Sequence, residues 1–392
     1  MTGDDLSFTY PGPEPAEELI EGVPTGLEAE PEPPEPVIEK PWNPNDIRVD
    51  SKNFALRNIL DMIRDDDLDL APDFQRRLVW GKLQKSRLVE SILLRIPLPA
   101  FYFTQETDGM MRVVDGLQRL STINEFTGGA ASRDRNFRLG GLEYLQEVEG
   151  KTFANLAPSW QRRLLNTQIF VHVIDPRTPD PLKFDIFKRI NTGGSPLNAQ
   201  EIRHCMSGPL ARALLKRCVD SSEFSRATNG ALHEHKRMMD RELALRFCAF
   251  RMLNEVEEYA AFGTMDAFLT AANRRLEELS ENNREILFLA FQRAMISANL
   301  LFGVHAFRKW YLNNDFLYPI NRALFETWSV ALSNHDWDTL AASKEVLALE
   351  ARKMMTDDRE YLEAISVSTG DRRRVSTRFR RVADTVSKYA SD

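Results

Sequence analysis

Cysteine is scarce in this chain: Cys205, Cys218 and Cys248 are the whole complement of 392 residues. The number is odd, the spacings are wide and no paired-Cys motif occurs, which argues against a disulfide framework or thiolate zinc site and fits reduced thiols. Missing as well is any uninterrupted apolar run long enough to span a bilayer, about 18 residues. The N-terminus is acidic rather than a basic segment leading into an apolar one, so neither membrane insertion nor secretion is expected, and a cytoplasmic location is. There is no phosphate-loop lysine motif, no Gly-x-Ser-x-Gly elbow and no His-Glu-x-x-His helix, which removes the commonest catalytic templates. His233-Glu-His235 has no third ligand at a recognisable spacing and reads as a non-site.

What is present is unevenly distributed. Residues 1–40 carry 11 Asp and Glu against the single Lys40, so the net charge of −7 becomes +3 once they are set aside. Ten of the 20 prolines lie in residues 1–44. A segment of this composition buries too little apolar surface to offset its ordering entropy, and 1–44 is expected to be a disordered acidic, Pro-rich tail. The remainder has the apolar content for sizeable cores, and its length suits two or three domains.

The patterning predicts an α+β fold: an N-terminal α+β domain over 45–195 and an all-α domain over 196–392. Phe54 to Ile63 has helical spacing, as do Val89, Ile92, Leu93 and Ile96. Phe101–Phe103 and Met111–Val114 read as paired strands, Phe137–Tyr144 as a hairpin, Gln168–Ile174 as a central strand, and Pro181–Ile190 as a helix. Asn198 and Glu201 form a capping box that starts a helix near Ala199. Beyond Glu201 almost every segment carries helical periodicity.

The most informative stretch runs from Arg112 to Gly129. Val113-Val114 close a strand, Asp115-Gly116 turn, and Leu117, Leu120, Ile123 and Phe126 recur at helical spacing. A strand, tight turn and helix in this order leave the first helical N–H groups free for an anion, and glycine lets a ligand approach closely. Asp115 is a candidate metal or water ligand, and Gln118 and Arg119 are candidate phosphate donors. Asn191-Thr192-Gly193-Gly194 is a second turn able to form an anion nest. Gln75 and Arg76 add a further polar end. If the three stretches converge, they suit a triphosphate with Mg²⁺, Asp115 positioning the metal or water, Gln118 orienting the nucleophile, and Arg119 and Arg76 neutralising charge. An ordinary strand-to-helix connection remains the alternative. Arg372, Arg373, Arg374 and Arg378, within a run of six arginines in Asp371–Arg381, are candidate contacts to a nucleic-acid backbone, with a solvated helix face as the alternative.

Several of these motifs, in order, resemble the N-terminal domain family of GmrSD-type type IV restriction enzymes. They are Phe74-Gln75-Arg76, Val79-Trp80, Lys85-Ser-Arg87, Glu90-Ser91, Ile96-Pro-Leu-Pro99, Val113-Val-Asp-Gly-Leu-Gln-Arg-Leu120 and Phe187-Lys-Arg-Ile-Asn-Thr-Gly-Gly194, and the similarity is expected to extend through Arg241-Glu-Leu243, Asn321-Arg-Ala-Leu-Phe325 and the Thr369 to Phe379 region, over most of the chain from about residue 46. The resemblance implies a ParB/sulfiredoxin-like fold and an Asp-Gly-Gln-Gln-Arg motif for NTP binding and Mg²⁺-dependent hydrolysis, coupled to DNA cleavage in antiphage defence. It makes Asp115, Gly116, Gln118 and Arg119 the core of the site. Leu117 departs from the motif, where the family has glutamine. No HNH-type nuclease segment follows, so cleavage would need this domain or a partner nuclease. A non-hydrolysing, nucleotide-switched DNA-binding protein and an interaction scaffold are the competing readings.

Overall fold

A computed structural model describes residues 15–20, 22–30, 43, 46–70, 80–128, 137–190, 198–232 and 237–390. Two compact units emerge: Lys40–Met206, and Met1–Glu39 together with Ser207–Asp392. The α+β class is as expected, but the boundary falls after Met206 rather than after residue 195.

Among the described residues the first element is an antiparallel hairpin of β1 (Glu17–Ile20) and β2 (Val23–Glu28). The expectation of a disordered tail over 1–44 therefore fails for this part. Leu27 is fully buried in the core of the second unit, and Glu28 N and Ile320 N exchange hydrogen bonds of 2.8 and 2.9 Å with Ile320 O and Gly26 O. Among the described residues, three of the acidic side chains that suggested disorder are bonded. Glu28 accepts from Lys309 Nζ at 2.7 Å and Asn321 Nδ2 at 3.0 Å, Glu18 from Arg322 at 2.7 Å, and Glu30 from Thr369 Oγ1 at 2.8 Å.

The sheet unit follows. Its elements are β3 (Val49–Ala55), α1 (Leu56–Arg64), β4 (Leu68–Asp69), α2 (Lys82–Leu93), β5 (Phe101–Gln105), β6 (Met111–Asp115), α3 (Leu117–Thr127), α4 (Pro158–Leu165), β7 (Gln168–Ile174), α5 (Asp180–Ile190) and α6 (Ala199–Met206). The strands order as β3-β7-β5-β6-β4, with β7 pairing antiparallel to β3 and parallel to β5. Ile169, Val171 and Val173 alternate along β7 and are buried, as a central strand requires. Ile174 and Val114 pack with Phe184 and Phe187 of α5 and Ile202 of α6. Asn198 and Glu201 cap α6 reciprocally, each backbone N–H donating to the other's side chain at 2.8 Å. This packing is why α6 belongs with the sheet.

Phe137–Tyr144 forms no strand. Instead Glu90, buried on α2, accepts the backbone N–H groups of Glu143, Tyr144 and Leu145 at 2.7–3.0 Å. These donors have a carboxylate in place of a ladder partner, so the segment needs no hairpin.

The second unit adds α7 (Pro209–Val219), α8 (Ser222–Ala227), α9 (Met239–Arg251), α10 (Met265–Glu278), α11 (Glu281–Phe302), α12 (Arg322–Leu332), α13 (Trp337–Ala342), α14 (Lys344–Asp357), α15 (Arg359–Ser366) and α16 (Arg372–Tyr389). Among the described residues, α11 with its short C-terminal extension is long and apolar enough to cross a membrane, and 56% of its apolar window is buried. Leu287, Phe291, Ala294, Met295 and Ala298 place that buried face in the unit's own core. Cys205, Cys218 and Cys248 are buried thiols.

Candidate functional site

Strand β6 does not run straight into its helix. Register shifts between Tyr102 and Phe103, so that Val113 pairs with Phe103 while Asp115 pairs with Tyr102, leaving Val114 as the extra residue of a bulge. Gly116 then takes φ 97°, a left-handed conformation that side chains resist. A Cβ there would lie 2.2 Å from Phe101 Cδ1 and 3.2 Å from the Arg119 guanidinium. Glycine is thus required twice, for torsion and for space.

Helix α3 opens at Gly116 with no side-chain cap. Asp115 Oδ1 accepts the Gly116 N–H at 2.8 Å, and its Oδ2 accepts from Arg119 Nη2 at 3.0 Å. Arg119 also donates to Pro99 O and to Ala100 O at 3.1 Å, and its guanidinium lies 4.1 Å from the centroid of the Phe101 ring. This side chain clamps the start of β5 to the end of β6. Burial pushes the Arg119 guanidinium below its ordinary value, partly countered by Asp115. Gln118 differs from both: its Oε1 is buried without a hydrogen-bond partner. An acceptor in that state fits a ligand or water donor.

Leu117, the departure from the motif, is 7% exposed. The position faces the interior, so an apolar side chain suits it. Other motif residues hold the unit together: Lys85 pairs with Glu125 at 2.6 Å, Ser86 Oγ accepts the Gly140 N–H at 3.0 Å, and Glu90 ties down residues 143–145. Burial by itself would raise the Glu90 carboxyl, yet its three backbone donors hold it below the ordinary value.

Gln75, Arg76, Asn191, Thr192, Gly193 and Gly194 lie outside the described residues, as does His233-Glu-His235. Of the three stretches expected to converge, only Asp115 to Arg119 can be placed. Among the described residues no group of three or more His, Cys, Asp or Glu could hold a metal. Asp115 offers one carboxylate. That fits Mg²⁺ only in the mode where phosphates and water supply most ligands.

The arginine run divides. Arg372 and Arg373 are exposed on the first turn of α16, but Arg378 is 0% exposed and bonds Glu326 Oε1, Ala364 O and Thr369 O. Its assignment to a nucleic-acid surface is therefore corrected: it is a buried core cation. Arg374 donates to Val367 O at 2.6 Å and is half-buried.

Sequence reasoning missed a lateral line of residues beside the turn. Ser51, His172, Tyr102 and Asp115 are consecutive cross-strand partners on β3, β7, β5 and β6. The only sequence signal was the alternate placement of Phe170 and His172 on β7.

Residues 56–206 match the family described as GmrSD restriction endonuclease, N-terminal domain. The resemblance drawn from the motifs is supported over this segment, which ends where the sheet unit ends, and the match does not reach the helical half to which the resemblance was expected to extend. Among curated proteins and among solved structures, none matches the chain.

Proposed function

With residues 56–206 similar to the N-terminal domain of a restriction endonuclease, we propose that this chain is the nucleotide-binding, NTP-hydrolysing module of a restriction-like, DNA-directed antiphage system. The β6–α3 turn receives the phosphates. The observation that carries this reading is a helix that opens at a left-handed glycine with no side-chain cap, beside a half-exposed carboxylate and the unpartnered Gln118 Oε1. Uncapped N–H groups and the helix dipole favour negative charge at this point.

In this reading Asp115 would be the protein's carboxylate ligand to Mg²⁺ carried in by the triphosphate, and Gln118 would orient water through its amide oxygen. Arg119 is a positioning residue, because its guanidinium is already held by two carbonyls, a carboxylate and a ring. Of the four candidate arginines, Arg372 and Arg373 stay exposed for DNA, and cleavage is left to this domain or to a partner nuclease.

Engagement of Arg119 by Pro99, Ala100, Asp115 and the Phe101 ring favours a second reading, a nucleotide switch without turnover. Phosphate release from the purified protein, across the four NTPs and dNTPs with Mg²⁺ and with or without DNA, separates the two. Gln118→Ala and Asp115→Asn should lower release by about a hundredfold or more. Nucleotide-induced thermal stabilisation without release identifies the switch. Neither effect in folded protein overturns both.

A further inference from the structure

Along one of its faces, the sheet is covered unequally. Where Ile174 lies, the residues of α5 and α6 bury it; four positions earlier on the same strand face, Phe170 is 44% exposed. A single exposed ring is ordinary on a protein surface. This one has company. His172 meets Phe170 edge-on with centroids 4.9 Å apart, and Tyr102 stacks on His172 at 4.8 Å. Ser51 Oγ lies 3.0 Å from His172 Nδ1 and fixes the ring, leaving Nε2 as its other polar atom. Asn53, exposed on β3, is the cross-strand partner of Phe170 and brings an amide with both donor and acceptor to its side.

The orientation of the strands puts this group at the right end of the sheet. Phe170 and Tyr102 stand near the starts of the parallel strands β7 and β5, and Asp115 at the end of antiparallel β6, so all three share one sheet end with the opening of α3. At about 4.8 Å between neighbouring strands, β7 lies roughly 10 Å from β6. A nucleotide has the reach to put phosphates at one and its base at the other.

We propose that Phe170, backed by His172 and Tyr102 and flanked by Asn53, is the stacking platform for the base of the nucleotide whose phosphates bind at the β6–α3 turn. The proposal rests on the nucleotide reading above. Stacking accepts any base, and the Asn53 amide and His172 Nε2 supply the edge contacts that select among them.

The test is calorimetric titration of the full chain with Mg²⁺ and ATP, GTP, CTP, UTP or inorganic tripolyphosphate, for the unaltered protein, Phe170→Ala, Phe170→Trp and Asn53→Ala. Phe170→Ala should weaken the bound nucleotides by about tenfold or more, leave tripolyphosphate unchanged, and be rescued by Phe170→Trp. Asn53→Ala should narrow the differences among the four nucleotides. Equal affinity of the unaltered chain for tripolyphosphate and every nucleotide overturns the platform while the phosphate site stands. Binding of none of the five overturns both. Loss of single-stranded oligonucleotide binding in Phe170→Ala, with nucleotide affinity intact, also overturns the proposal and assigns the rings to a DNA strand.

Discussion

Arg119 in the sheet unit and Arg378 in the helical unit both belong to stretches that read as phosphate-seeking, and both turn inward. Arg119 is held mainly by carbonyl oxygens and a ring, with one half-exposed carboxylate beside it. Arg378 shares the fully buried Glu326 with Arg246, whose Nη1 donates to Oε2 at 3.0 Å. One is a clamp at the rim of a site; the other is part of a sealed charge cluster. Burial lowers Arg246, but Glu242, Glu30 and Glu326 together raise it above its ordinary value. A guanidinium's partners, rather than its presence in a run, decide whether it can serve a ligand.

The contrast can be broken most forcefully at Glu326. Glu326→Ala leaves two buried guanidiniums without their shared carboxylate and should cost about 3–5 kcal/mol, read by urea denaturation. A loss comparable to a surface mutation would show that the cluster is not sealed. Next in size is Gly116→Ala, where left-handed torsion and the clash with Phe101 together should cost about 2–4 kcal/mol. Glu90→Gln replaces a carboxylate that accepts three backbone N–H groups and should cost about 1–3 kcal/mol. Because folding depresses the Glu90 carboxyl, its contribution is complete above its unfolded value, near pH 4.5, and is lost as pH falls through the lower folded value. Stability measured between pH 7 and 3 should therefore fall less steeply in Glu90→Gln. Smallest of all, Arg372→Ala and Arg373→Ala should shift stability by no more than about 0.5 kcal/mol, while Arg378→Ala in the same helix destabilises severely.

Local signals carried much of the fold. The capping box of Asn198 and Glu201, the strand pair ending at Asp115 and the alternation of β7 are each encoded within a few residues and were readable there. The β1–β2 hairpin was not, since Glu28 bonds Lys309 and Asn321, residues more than 280 positions away. Composition counted those carboxylates only as residues that bury no apolar surface, because their distant cations were out of view. Arg378 was partly legible: Val375, Arg378, Val382 and Val386 form one buried helical stripe, and an arginine in an apolar stripe is an arginine facing a core. At the candidate site, Asp115, Gly116 and Gln118 were legible as a turn, whereas the line through Tyr102, His172 and Ser51 exists only once strand register is fixed.

The hairpin precedes the sheet unit in the chain yet packs with helices that follow it. In connectivity the sheet unit is an insertion, and the helical unit is assembled from two separate pieces of polypeptide. A single peptide-bond cut between residues 31 and 45 should therefore leave the N-terminal piece as a noncovalent subunit of the helical core. Likewise, a chain begun at residue 46 should be restored to full thermal stability by a synthetic peptide of residues 15–30, in the manner of fragment complementation.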